Sequence, residues 1–154
     1  MKRIFTILVC ALAIVGATSC GNGSSNKQDE TEQISTKDLK ELEKLAKSVK
    51  ETVEIKGNDV IHTSKAFGMT NTVIYTFEGN KCVGQLQIWE YPDKKTTEKY
   101  YETMKDMDYC TSVKLDGKKL ICEFKPEIYQ WLTQQELTKE QFRDKLQEGI
   151  DNSK

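Results

Sequence analysis

Histidine occurs once in this chain, at His62, and that scarcity removes more chemistry than any other feature of the composition. A zinc site needs three or four nitrogen, sulfur or carboxylate ligands at short spacings, and no cysteine or acidic cluster stands near His62 in such an arrangement. The glycines never gather into a phosphate-cradling loop, and no nucleophile elbow or calcium-binding loop is found. No metal and no cofactor is therefore expected. Charge of one sign is missing too: 23 basic side chains stand against 24 acidic ones, so nucleic acid is not an expected partner. Long apolar runs are absent. The run from Ile4 to Val15 is broken by Thr6 and falls short of the roughly 20 residues a membrane-spanning helix requires.

What is present begins at the amino terminus. Lys2 and Arg3 form a basic head, the Ile4–Val15 run follows, and Gly16-Ala17-Thr18-Ser19 supply small residues ahead of Cys20. This is the three-part layout of a secretory signal. With a cysteine at its end and the flexible segment Gly21-Asn22-Gly23-Ser24-Ser25-Asn26 behind it, the stretch resembles the lipobox of bacterial lipoproteins, departing from the usual pattern at Ala17, where Leu, Val or Ile is common. The resemblance implies cleavage before Cys20, a diacylglyceryl group on its thiol, and acylation, for instance with palmitate, of the new amino terminus. An anchor carrying two or more chains is stable. The plain alternative is an ordinary secretory signal cut after Ala17 or Ser19.

On this reading residues 1–19 are the signal peptide and residues 20–34 the lipidated terminus with its linker. Residues 35–150 form one domain, and 151–154 a fraying tail. The formal net charge of −1 becomes −3 once Lys2 and Arg3 leave with the signal. The linker is polar and, by random-coil scaling, reaches about 20 Å. Its Lys27-Gln28-Asp29-Glu30 is similar in composition to the acidic surface-display signal of some Gram-negative lipoproteins, though further from the cysteine. The expected location is the outer membrane of a Gram-negative envelope, on either of its faces.

The domain reads as α+β. Ser35 or Thr36 caps an amphipathic helix whose stripe is Leu39, Leu42, Ala46, Val49 and Val53. The period then changes to two. Val53–Ile55 and Val60–Thr63 read as strands around a Gly57-Asn58-Asp59 turn, a looser segment spans Lys65 to Asn71, and Thr72–Glu78 pairs with the strand after Gly79-Asn80. An unbroken register sets Phe77 against Cys82, Tyr75 against Gly84 and Val73 against Leu86, leaving Ile74, Thr76, Val83, Gln85, Gln87 and Trp89 on a mixed second face. A helix over Asp93–Asp108, two strands around Asp116-Gly117, a helical turn after Pro126, and a closing helix capped by Thr138 and Gln141 complete the chain. The order helix, four strands, helix, two strands, helix predicts an antiparallel sheet of five or six strands with helices packed on it. In broad organisation this looks like small bacterial envelope lipoproteins of unknown function, a likeness that carries no site residues with it.

Cys10 leaves with the signal and Cys20 takes lipid, so the domain holds Cys82, Cys110 and Cys122. In a two-residue hairpin Cys110 falls on the face opposite Cys122, so three free thiols are expected, with Cys82–Cys122 the remaining candidate for a bridge. The expected function is a lipid-anchored, non-enzymatic module that binds a protein, peptide or glycan. The alternative is a small envelope hydrolase or thiol enzyme using His62 with one of these cysteines.

Overall fold

The computed structural model describes residues 48–153. The signal segment, Cys20, the linker and the expected first helix up to residue 47 lie outside the described residues, and Val53, placed at the end of that helix's stripe, lies in the first strand instead. Six strands and three helices follow in the order β1 (Lys50–Lys56), β2 (Asp59–Ala66), β3 (Met69–Glu78), β4 (Lys81–Glu90), α1 (Lys94–Met104), β5 (Cys110–Asp116), β6 (Lys119–Phe124), α2 (Pro126–Thr133) and α3 (Lys139–Asp151). The strands form one antiparallel sheet of order β1-β2-β3-β4-β6-β5, and the fold is α+β.

Two-residue turns build most of it. Gly57, Gly79 and Gly117 each open such a turn at φ near +60°, a conformation that glycine adopts without steric cost. The β2–β3 connection is equally tight, which corrects the loose segment expected over Lys65–Asn71. Ala66 pairs with Met69, and both intervening residues have positive φ, 54° at Phe67 and 74° at Gly68, as a type I′ turn demands. Phenylalanine is a poor residue for that geometry and gave no turn signal. The last hairpin turns at Gly117-Lys118, one residue later than expected, so Asp116 pairs with Lys119 and Val113 with Cys122.

Helix ends follow their local chemistry. Asp93 caps α1, its carboxylate accepting from Thr96 N and from Thr96 Oγ1, both at 2.8 Å, and these bonds hold the carboxyl below its ordinary range. Pro126 opens α2, where its missing N–H costs nothing. At α3 the expected capping box is present: Gln141 N donates to Thr138 Oγ1 at 3.2 Å, and Thr138 N to Gln141 Oε1 at 3.0 Å. The helix runs on to Asp151, one residue into the tail expected to fray, with Asn152 as its cap.

All three helices lie on one face of the sheet. Phe142 of α3 meets Tyr75 edge-on at 4.9 Å and Phe77 at 5.6 Å, while Tyr129 and Leu132 of α2 join Val60, Phe77 and Cys82 in the core. Beside β5 and β6, against which α1 packs, Thr97, Leu120 and Cys122 are completely buried. Tyr91 stacks on Tyr100 at 4.7 Å, and Tyr109 on Phe124 at 5.8 Å.

Two β-bulges decide which residues share that face. One lies in the β3–β4 pairing: Phe77 faces Cys82 as expected, but beyond Val83 Thr76 faces Gly84, Tyr75 faces Gln85 and Ile74 faces Leu86. A bulge adds one residue to one strand and so exchanges the faces of everything past it. Gln85, Gln87 and Trp89 therefore turn toward the helices, and Leu86 and Ile88 turn away. The second bulge lies at Thr111.

Candidate functional site

The second bulge brings Cys110 to the face of Cys122. Cys110 pairs with Phe124, one diagonal step from Cys122, at a Cα separation of 6.2 Å, and the two are joined by a disulfide. This corrects the expectation of three free thiols, which rested on an unbroken ladder. Cys82 stays free and buried, so the Cys82–Cys122 pairing is not formed.

His62 lies on the helix-covered face of β2, its Nε2 3.0 Å from the Glu51 carboxylate, with 11% of its side chain and 9% of that of Glu51 exposed. Ser64 stands opposite Glu51, and nearby Gln87 donates to Asn71 Oδ1 at 2.8 Å. A carboxylate fixes an imidazole for proton transfer, but no nucleophile bonds to His62 among the described residues. The His62–cysteine pairing is not assembled. His62 faces Val73 whereas Cys82 faces Phe77, four residues further along β3, roughly 13 Å at 3.3 Å per residue. Burial also pushes the Cys82 thiol up, an effect only partly offset by a backbone hydrogen bond at Gly84, so it is a weak nucleophile near neutrality. Among the described residues, no three His, Cys, Asp or Glu side chains gather to hold a metal ion.

Next to Cys82 the first bulge turns two carbonyls toward α2: Tyr129 OH donates to Val83 O and Thr133 Oγ1 to Cys82 O, each at 2.9 Å. Between them and Glu127 lies a shallow groove of about 420 Å³. The tyrosines and tryptophans do not converge there. Trp89 faces Asn71 and Leu120 across the sheet, whereas Trp131 sits on α2 with 39% of its surface exposed.

In the core near Cys82, Tyr75 is the most informative titrating group. Burial, with a lesser contribution from nearby Cys82, pushes its hydroxyl from 10.0 up to about 12. Between those values the unfolded chain loses a proton that the folded chain keeps, so stability falls as pH rises through the window. Denaturant midpoints measured on both sides of pH 10 should show this loss, and Tyr75→Phe should make the alkaline limb shallower. An unchanged limb would place the titrating group elsewhere.

The sheet's other face carries no described helix. Across its middle, register places Glu54, Ile61, Ile74, Leu86 and Glu123 in one row. The next row holds Thr52, Thr63, Thr72, Ile88, Ile121 and Lys114. Lys50, Lys65, Thr70, Glu90, Lys119 and Asp116 form the third row, a charged border interrupted by Thr70. An antiparallel sheet with one wet face ordinarily alternates apolar-in with polar-out. Here the outer face is aliphatic and threonine-rich at its centre, with charge at its rim. Sequence reasoning missed it because the unbroken register assigned Leu86 to the inner face and Gln85, Gln87 and Trp89 to the outer one. Comparison of the chain with protein-family models, characterised proteins and solved structures finds no match.

Proposed function

We propose that this chain is an exported protein, anchored through lipid on Cys20 in the outer membrane of a Gram-negative envelope, whose domain is a non-enzymatic binding module for a protein, peptide or glycan. The observation that supports it most is the sheet face that no described helix covers, where the half-buried Ile61, Ile74, Leu86, Ile88 and Ile121 form an aliphatic band flanked by Thr63 and Thr72. Contiguous apolar surface rimmed by polar groups is the ordinary mark of an interaction site. Threonine hydroxyls add donors and acceptors without adding charge, which suits a peptide backbone or a sugar.

The anchor and the face are tested together in cells. Labelled fatty acid should enter the wild-type chain and not Cys20→Ala, which should also leave the membrane fraction. A photo-reactive side chain at Ile88 should cross-link the anchored protein to an envelope component, and one at Lys99, an exposed position on α1, should not. Wild-type protein that never takes up lipid defeats the anchor, and equal cross-linking from both positions defeats the face.

A further inference from the structure

The two edges of the sheet are built differently. β5 is interrupted by the bulge at Thr111, which twists an edge away from further pairing, whereas the seven residues of β1 pair with β2 without irregularity. On the outer side of β1 no backbone hydrogen bond is made among the described residues. Lys56 and Asp59 flank a two-residue turn and so exchange hydrogen bonds, as do Glu54, Thr52 and Lys50 with their partners on β2. The N–H and C=O groups of Glu51, Val53 and Ile55 consequently point outward.

We propose that a second copy of this chain pairs with β1 antiparallel, about a two-fold axis at Thr52, joining two six-stranded sheets into one of twelve. Among the two-fold registers that pair at least five of the seven residues of β1, the charges select one. A two-fold at Val53 would set Lys50 against Lys56, and one at Glu54 would set that carboxylate against itself. A two-fold at Thr52 sets Lys50 against Glu54 twice. In this register Glu51 and Val53 of opposite copies exchange backbone bonds, while Lys50–Glu54 and Thr52–Thr52 become the non-hydrogen-bonded pairs, whose side chains approach most closely. Lys50, Thr52 and Glu54 are exposed and lie on the open face, as does Lys56, which now bonds Glu54 at 2.7 Å within its own chain. A closed, isologous pair uses up the β1 edge of each copy and leaves only the bulged β5 edges at its ends, so it does not propagate into a fibre. It also continues the open face from one copy to the next.

The full chain, extracted in detergent, tests this. Across a non-hydrogen-bonded antiparallel pair the Cα atoms lie about 4.5 Å apart, close enough for a disulfide. Thr52→Cys should therefore give a covalent dimer on mild oxidation, and Thr63→Cys, one strand inward, should not. Lys50→Glu and Glu54→Lys should each weaken dimerisation about tenfold in sedimentation equilibrium, and the two together should restore it. A monomer at every concentration, a dimer indifferent to both reversals, or β1 occupied by a strand of a different protein would overturn the proposal. None of these results bears on ligand binding by the open face within one copy.

Discussion

Replacing Cys110 and Cys122 by serine together should cost the domain about 3 kcal/mol, the loop-closure entropy expected for a bridge over 12 residues of sequence. That is a large share of the 5–15 kcal/mol, roughly, on which a domain of this size depends. The loss should appear as a lower denaturant midpoint. The same lower midpoint should appear when wild-type protein is unfolded in a reductant. Thiol counting gives a second reading: of the three domain cysteines, only Cys82 should react in denatured, unreduced protein, and peptide mapping should recover Cys110 joined to Cys122. Three reactive thiols would show the bridge to be absent. Oxidation is permitted where such a protein is expected to reside, outside the reducing cytoplasm.

Truncating Phe142 to alanine should be at least as damaging, at roughly 3–5 kcal/mol. Its ring is 5% exposed and is the single aromatic group of α3 packed against β3, edge-on to Tyr75 and tilted against Phe77. Removal empties the space between helix and sheet and takes away two aromatic contacts, each of about 0.5–1.5 kcal/mol beyond the area it buries. Phe142→Leu, which refills most of the volume, should recover a good part of the loss. If Phe142→Ala unfolds within about 1 kcal/mol of wild type, α3 is not held by this contact. Equilibrium denaturation of both variants decides the matter.

Which parts of this fold could be read from the residues is itself physically instructive. The capping box of Thr138 and Gln141, the Gly57 and Gly79 turns, and the order of elements from the first strand onward depend on chemistry confined to a few neighbouring positions, and all are found where the sequence places them. Phe77 opposite Cys82 was legible for the same reason, being one step from a turn. Everything past Val83 was not. A bulge has no side-chain signature, and its stabilisation comes from distant groups, Tyr129 and Thr133 on α2, which satisfy carbonyls 46 and 51 residues away. The error in the Cys110 register has the same origin, an unpaired residue at Thr111 that alternation alone does not reveal. The open face was hidden with them, because a shift of one residue exchanges Leu86 and Ile88 with Gln85, Gln87 and Trp89. Of the residues singled out in advance, His62 acquired a partner, Glu51, that no short-range pattern supplies.

The order β1-β2-β3-β4-β6-β5 also has a kinetic side. The first four strands are consecutive hairpins, each closing on a turn of two residues, so their pairing costs little chain entropy and proceeds from local contacts. The bond between β4 and β6 is of another kind, since Trp89 must find Leu120 after α1 and β5 have been threaded between them. Joining these halves is the step of longest loop closure within the sheet, and a nucleus in the β1–β4 meander with late docking of the β5–β6 hairpin is the route of least entropy. For a chain that emerges into its compartment amino terminus first, the meander would be complete before that hairpin arrives, and Leu86 and Ile88 would meet solvent with their edge at β4 still open.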